Sequence, residues 1–250
     1  MKLRFFDKVL NIFFPKELKC IFCGRDINSF DEDPICPDCQ NEEIFNNSRH
    51  RCKCCDQPIY TEGDFCDNCK KDQKYFDRAT SPFIYETKVK NLVLRFKNDN
   101  AKYLAEPMGK LMAERLKSEN MLDFDIIIPV PLSENSLKKR GFNQAKLLAD
   151  EIGKICDKPV REDIVLKVKD TKHQKELGFA DRHENLKNAF NVTNLKDIKG
   201  KSVLIVDDVL TTCATTSTIA KLLIKHTDKI YVVSFARNLL PKVKSNPILE

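Results

Sequence analysis

The chain has 250 residues, of which 42% are hydrophobic and 32% are charged, and its formal net charge is +6. This length suits one sizeable domain with a small module, and the composition is ordinary for a globular protein whose core needs no disulfides. No apolar run approaches the roughly 18 residues of a membrane-spanning helix, and the moderate positive charge permits anionic partners without requiring nucleic acid.

The first 15 residues are apolar enough to raise the question of a signal peptide. Asp7 and Lys8 interrupt the apolar run, and no small-residue cleavage site follows it. The spacing of Phe5, Phe6 and the later apolar residues instead predicts a short amphipathic helix that ends at Pro15 and packs on the body of the protein. We therefore expect a cytoplasmic, reducing location.

Nine of the eleven cysteines lie between Cys20 and Cys69. Eight of these form four pairs with a two-residue gap, namely Cys20 and Cys23, Cys36 and Cys39, Cys52 and Cys55, and Cys66 and Cys69. Both sulfurs of such a pair can reach one metal ion at about 2.3 Å, and two pairs complete a tetrahedral shell of four thiolates. Because this region is poor in aliphatic residues, we predict that two structural zinc ions supply its folding energy.

The grouping of the four pairs is open to more than one interpretation. We favour the sequential arrangement, in which the first two pairs bind one zinc ion and the last two bind the other, over a cross-braced one, and we expect Cys54 not to bind metal. Disulfides and an iron–sulfur cluster are the alternatives to zinc. A reducing compartment argues against disulfides, and four evenly paired motifs fit zinc better than a cluster.

The pattern of the sequence changes near residue 75, which predicts a zinc module over 1–75 and a second domain over 76–250. Strands are predicted over 81–85, 125–130, 164–167, 202–206 and 230–235. Helices are predicted over 88–96, 102–116, 136–156, 181–189 and 215–226. Strands that alternate with amphipathic helices favour right-handed β-α-β units, and hence an α/β fold with a doubly wound, mostly parallel sheet.

The strand over 202–206 leads into residues that suit a phosphorylated ribose. Asp207 and Asp208 follow its apolar run, at the carboxyl end of the strand, where ligands bind in open α/β sheets. The turn that opens the next helix consists of Thr211, Thr212, Cys213, Ala214 and Thr215. Its hydroxyls and helix N-terminal N–H groups can bind phosphate, while the two carboxylates accept hydrogen bonds from sugar hydroxyls. The chain has neither a P-loop signature nor the glycine pattern of a dinucleotide site.

These residues resemble the diphosphoribose-binding signature of the type I phosphoribosyltransferases. The signature is a hydrophobic run, two acids and a Thr-Thr-Gly-Ala-Thr turn, with Cys213 here in place of the glycine. A cysteine module precedes it in this chain, together with Ile-Pro-Val-Pro-Leu at 128–132 and Arg-Gly-Phe-Asn-Gln at 140–144. In this order, the motifs resemble the ComF/ComFC competence family over essentially the whole chain.

The resemblance implies a type I phosphoribosyltransferase fold that binds phosphoribosyl pyrophosphate with Mg²⁺. It implies catalytic roles for Asp207, Asp208 and Arg140, and a basic position filled by Lys97 or Arg95. The pyrophosphate would lie at the turn formed by Pro129, Val130, Pro131 and Leu132, and a lid over 167–185 would contribute Gln174 and Arg182. The side chain of Cys213 stands where glycine permits a positive φ or a close approach of the phosphate, and it puts this binding in question.

The resemblance further implies an enzyme of DNA uptake in natural transformation, with the zinc module in place of the hood that reads the base. One alternative is a non-catalytic protein that uses the site to bind single-stranded DNA, or a helicase or recombination partner. A nucleobase-salvage phosphoribosyltransferase is a more distant alternative.

Overall fold

The computed structural model describes residues 18–27, 33–42, 44–47, 50–60, 62–169 and 188–240. The predicted N-terminal helix, Gln174, Arg182 and most of the helix predicted over 181–189 lie outside these residues. Within the described part of the chain, no helix is both long enough and apolar enough to cross a membrane.

Within the described residues, the N-terminal part contains only short elements. These are β1 (Leu18–Lys19), β2 (Asp26–Ile27), α1 (Pro37–Gln40) and α2 (Asp67–Lys71). Strands β1 and β2 pair antiparallel around the first cysteine pair, and α1 and α2 begin directly after Cys36 and Cys66. Most of this region is therefore held by its cysteines and by packing on the larger part of the protein.

The larger part alternates strands and helices. Its elements are β3 (Arg78–Thr80), β4 (Phe83–Ile84), α3 (Thr87–Asn98), a 3₁₀ turn (Lys102–Leu104), α4 (Ala105–Ser118), β5 (Ile126–Pro129), α5 (Glu134–Arg140), α6 (Gln144–Cys156), β6 (Val165–Lys167), β7 (Phe190–Val192), a 3₁₀ turn (Leu195–Ile198), β8 (Ser202–Leu210), α7 (Ala214–Leu223) and β9 (Lys229–Arg237). Five of these strands form one sheet of order β3-β9-β8-β5, in which β4 also pairs with β9. Every pairing in this sheet is parallel.

Helices cover both faces of the sheet. Alternate residues of a strand point to opposite faces, and both sets are apolar here. On β8, Leu204 and Val206 pack with α3, α4 and α6, whereas Val203 and Ile205 pack with α7. Buried cysteines of the first two pairs join the former core, and those of the last two pairs join the latter. The cysteine module therefore packs on both faces of the sheet.

The predicted α/β class with a mostly parallel sheet is confirmed, and several boundaries are corrected. Strand β8 extends to Leu210, so Asp207 and Asp208 lie within the strand rather than after it. The strand predicted over 164–167 corresponds to β6, which pairs antiparallel with the unpredicted β7 outside the main sheet. The strand predicted over 81–85 contains only the two residues of β4 (Phe83–Ile84), and the longer strand β3 (Arg78–Thr80) ends just before it.

The single helix predicted over 136–156 is two helices. Gly141 has a φ of 79° and ends α5, since this left-handed conformation is open to glycine. Asn143 then caps α6 by accepting a hydrogen bond from the Ala145 N–H at 3.0 Å. Arg140 is consequently the last residue of α5 and not an interior residue of one long helix.

Candidate functional site

The eight predicted metal ligands form two clusters. Cys20, Cys23, Cys36 and Cys39 make up the first cysteine cluster, and Cys52, Cys55, Cys66 and Cys69 make up the second. Within each cluster the sulfur atoms all lie within 4.8 Å of one another. Four sulfurs bound to one zinc ion lie roughly 3.8 Å apart, so both clusters fit a tetrahedral zinc site. The structure thus shows the sequential grouping and not the cross-braced one.

The acidic pair lies where β8 approaches the edge of the sheet. Asp207 and Asp208 are both half-buried, and the Asp208 N–H donates to Asp207 Oδ1 at 2.8 Å. Removal from water, followed by the nearby Asp208 carboxylate, raises the pKa of Asp207 to about 7. The carboxyl group of Asp207 therefore keeps its proton to a higher pH than an ordinary carboxyl group does.

A lysine on α3 forms an ion pair with one carboxylate of the acidic pair. Lys97 Nζ lies 2.9 Å from Asp208 Oδ1, and its charge also interacts with Asp207 and Arg140. Arg95, the other candidate for the basic position, is exposed and donates to the Tyr103 hydroxyl at 3.0 Å. The structure therefore places Lys97, and not Arg95, beside the two carboxylates.

The threonine-rich loop (residues 211–215) joins β8 to α7. Cys213 has a φ of 62° and is the residue before the first turn of α7, so it adopts the left-handed conformation that the family glycine would favour. Its side chain is 3% exposed, and its sulfur accepts a hydrogen bond from Arg237 Nη1 at 2.9 Å. The sulfur is thus engaged with Arg237 in the interior, and the loop can keep a glycine-like backbone despite the cysteine.

The proline turn (residues 129–132) reaches the same edge from the neighbouring strand. The parallel register pairs Pro129 with Val206, one residue before Asp207. Asn143 Nδ2 donates to the Val130 carbonyl at 3.0 Å, which fixes the turn to the start of α6. The turn and the acidic pair therefore leave adjacent strands side by side.

The Arg-Gly-Phe-Asn-Gln motif (residues 140–144) joins α5 to α6 and contacts this turn through Asn143. Arg140 Nη1 donates to Gln144 Oε1 at 3.1 Å, and Phe142 is buried against Phe96 with ring centroids 6.0 Å apart. Gln144 is 1% exposed, and its Nε2 has no hydrogen-bond partner among the described residues. The Arg140–Gln144 contact ties the end of α5 to the start of α6, and the charge of Arg140 acts on Lys97 beside the acidic pair.

Several residues near the site were not anticipated from the sequence. Tyr85 is half-buried, and its hydroxyl interacts electrostatically with Lys97 and Asp208. Asn68 and Arg237 contact the threonine-rich loop from the cysteine module and from the end of β9. Arg237 had one visible signal, a charge that directly follows the apolar run of a buried strand. Tyr85 and Asn68 had none.

Two family profiles match the chain. The double zinc ribbon domain matches residues 9–74, and the phosphoribosyl transferase domain matches residues 136–248. With the parallel sheet and the two cysteine clusters, these matches define the class: a phosphoribosyltransferase-type α/β domain preceded by a double zinc ribbon.

Comparison with characterised proteins narrows this class. Competence protein F of Haemophilus influenzae is 32% identical over 225 residues, covering 88% of this chain and 96% of that protein. The chain belongs to the competence protein F family. Competence protein ComFC of Streptococcus pneumoniae is 24% identical over 82% of this chain and 93% of that protein. DNA utilization protein YhgH of Escherichia coli is 28% identical over 64% of this chain and 72% of that protein.

Among solved structures, a purine phosphoribosyltransferase from Pyrococcus horikoshii covers 59% of this chain and 94% of its own at 16% identity. The TM-score of 0.33 is too low to bear on the fold.

Proposed function

We propose that this protein binds phosphoribosyl pyrophosphate with Mg²⁺ and acts as a ComF-family phosphoribosyltransferase in DNA uptake, on the cytoplasmic side of the membrane. One observation carries the proposal: the acidic pair, the threonine-rich loop and the proline turn meet at one edge of the sheet. The pairing of Pro129 with Val206 and the continuity of β8 into the loop produce this convergence. Phosphoribosyl pyrophosphate has three parts, a 5′-phosphate, a ribose and a pyrophosphate, and the three adjacent groups offer one binding site for each.

Each part of the ligand has a matching partner in this arrangement. The 5′-phosphate binds the threonine-rich loop, where the hydroxyls and the N-terminus of α7 favour an anion. The ribose hydroxyls donate to Asp207 and Asp208, and Lys97 holds the Asp208 carboxylate in place. The pyrophosphate lies along the proline turn, near the guanidinium of Arg140.

The two carboxylates offer the hard oxygen ligands that suit Mg²⁺ bound together with the ribose and pyrophosphate. A bound Mg²⁺ would neutralise part of the negative charge on the departing pyrophosphate. Lys97 and Arg140 add positive charge beside the leaving group. Asp207 and Asp208 stabilise the positive charge that develops on the ribose. In this proposal Arg140, Asp207 and Asp208 are the catalytic residues.

The relatives named for competence and DNA utilization support a role in handling DNA. We propose that incoming single-stranded DNA, or a DNA-uptake or recombination protein, is the partner that meets the loaded site. A non-catalytic protein with the same site would use phosphoribosyl pyrophosphate only as a bound ligand.

Calorimetry with phosphoribosyl pyrophosphate and Mg²⁺ tests the site. The wild type should bind, and Asp207→Asn and Asp208→Asn should each bind at least about tenfold more weakly, since each loses a charged hydrogen-bond acceptor. Asp123→Asn is the matched control, because Asp123 is an exposed carboxylate paired with Lys229 at the start of β9, at the other end of the sheet. Absence of binding by the wild type would refute the proposed site.

Pyrophosphate release separates the candidate activities. Release that depends on single-stranded DNA supports the proposed transferase, and release that depends on a nucleobase supports salvage. Binding without release under either condition supports the non-catalytic alternative.

A further inference from the structure

The side chain of Arg237 connects the second cysteine cluster to the threonine-rich loop. It is fully buried at the end of β9. Its Nη2 donates to the sulfur of Cys55 at 3.5 Å, and its Nη1 donates to the sulfur of Cys213 at 2.9 Å. Its Nε donates to Gln57 Oε1 at 3.0 Å. One planar group therefore contacts a predicted zinc ligand and the left-handed residue of the loop at the same time.

The charge of Arg237 requires a nearby negative charge. A fully buried guanidinium is costly unless it is paired, because its removal from water is not compensated by neutral partners alone. Within the described part of the chain, its side chain donates hydrogen bonds to one amide oxygen and two sulfurs. A zinc ion with four thiolates carries a net charge of about −2. The second cluster and the sulfur of Cys213 are thus the two groups that can balance the charge of Arg237.

A second contact joins the same cluster to the same loop. Asn68 lies on α2, between Cys66 and Cys69, and its Nδ2 donates to the Thr212 carbonyl at 3.4 Å. Thr212 and Cys213 are consecutive, so two neighbouring loop residues are held from the second cluster. Hydrogen bonds from the surroundings of a metal site to its ligands commonly tune the affinity for the metal.

The first cysteine cluster has a different environment. Lys88, on α3, donates to the sulfur of Cys39 at 3.8 Å and is 35% exposed. Arg25, beside Cys23, is 65% exposed and pairs with Asp38. Both cations are partly solvated and each pairs with a carboxylate, Lys88 with Glu42 and Arg25 with Asp38, so neither depends on the metal as Arg237 does.

We propose that Arg237 is a positioning residue through which zinc in the second cluster holds the threonine-rich loop in its phosphate-binding conformation. The inference rests on the proposed function, since it assigns regulation to the same ligand site. The thiolate centre fixes the guanidinium, and the guanidinium fixes Cys213 at the N-terminus of α7. Coupling between two sites is reciprocal, so a ligand on the loop should also retain zinc in the second cluster.

Zinc release to an excess of a chromogenic chelator tests this coupling on the full-length protein. Two phases are expected, and a Cys23→Ser variant, which keeps only the second cluster intact, identifies the phase of that cluster. Phosphoribosyl pyrophosphate with Mg²⁺ should slow this phase at least about fivefold and leave the phase of the first cluster unchanged. The first cluster also controls for chelation by the ligand, which would change both phases.

Arg237→Lys is the decisive variant, because it keeps the positive charge but removes the fork that spans two sulfurs. It should retain two zinc ions, bind phosphoribosyl pyrophosphate about tenfold more weakly, and lose the ligand-dependent slowing. Arg25→Lys is the matched control beside the first cluster and should behave as the wild type. Asp208→Asn should lose the slowing through lost ligand binding alone.

The outcomes distinguish the inference from the proposed function. Failure of the wild type to bind phosphoribosyl pyrophosphate in calorimetry overturns the proposed function, and the coupling with it. Binding with unchanged zinc release, or slowing of both phases alike, overturns the coupling alone. Slowing that persists in Arg237→Lys overturns the assignment to Arg237.

Discussion

The two cysteine clusters have the same ligands but different surroundings. In both, a sulfur of one pair lies 3.6 Å from a sulfur of the next pair, Cys23 from Cys36 in the first cluster and Cys55 from Cys66 in the second. The first cluster packs on the face of the sheet covered by α3, α4 and α6, and Cys23 is exposed. The second packs on the face covered by α7, and its Cys55 is fully buried beside the threonine-rich loop. Under the proposed function, the first cluster would attach the module to the sheet, whereas the second would also support the ligand site.

An ion network strengthens the contact of the second cluster with the sheet. Asp56 follows Cys55 directly and is 3% exposed. Its carboxylate pairs with Arg51 and accepts hydrogen bonds from Asn46 Nδ2 at 2.8 Å and from the Ser81 N–H at 2.9 Å. The first cluster has an exposed counterpart, the pair of Arg25 and Asp38. Matched substitutions in the two clusters can therefore test whether the second is held more firmly than the first.

The largest effect should come from removing a buried zinc ligand. Cys55→Ser should lose one zinc ion, lower the melting temperature strongly and abolish binding of phosphoribosyl pyrophosphate, because metal binding supplies folding energy to this part of the chain. Cys23→Ser should also lose one zinc ion but keep measurable ligand binding. Zinc content, thermal unfolding and calorimetry on both variants give the comparison. Equal loss of ligand binding in the two variants would contradict the division of purposes.

The next effect should come from the ion network. Asp56→Ala removes one partner of a buried ion pair and should lower the free energy of unfolding by about 3 kcal/mol. Asp38→Ala, at the exposed pair of the first cluster, should leave the stability unchanged within error, since exposed pairs contribute little. Urea unfolding of both variants with two zinc ions bound measures the difference. A similar loss of stability in both variants would show that the burial of the second cluster does not distinguish it from the first.

The sequence predicted the local parts of this molecule better than the contacts between them. The cysteine spacing and the apolar runs of β8 and β9 carried enough information to predict two metal clusters and a parallel sheet. The break at Gly141 was missed, because the helical pattern continues on both sides of it. The link from Cys55 to Arg237 spans 182 residues, and no periodicity encodes such a distance. Cys213 likewise adopts a left-handed conformation beside the distant residue Arg237, a contact that the local sequence does not reveal.

A smaller effect should separate two neighbouring cations on α3. Lys97→Met removes the ion pair with Asp208 and should weaken binding of phosphoribosyl pyrophosphate by about 2 kcal/mol, as expected for a hydrogen bond between charged groups. Arg95→Met should have no effect on binding, because Arg95 is exposed and contacts Tyr103. Calorimetry compares the two variants directly. Weakening by Arg95→Met instead would move the basic position of the family to residue 95.

The smallest effect should appear in the pH dependence of Asp207. Burial, followed by the charge of Asp208, raises the pKa of its carboxyl group from 3.8 to about 7. The native carboxyl therefore keeps a proton that the unfolded one has lost, so between these values a rise in pH lowers its contribution to stability.

Ligand binding should show the opposite trend, because ribose hydroxyls donate to the ionised carboxylate. We expect the affinity for phosphoribosyl pyrophosphate to rise about tenfold from about pH 6 to about pH 8. Ionisation of the 5′-phosphate, whose second pKa is about 6, contributes to the same trend. Asp207→Asn separates the two contributions, because the ligand phosphate still ionises while the variant has no titrating carboxyl group at this position. A pH profile of equal slope in the wild type and in Asp207→Asn would assign the whole effect to the ligand and leave the raised pKa without a role in binding.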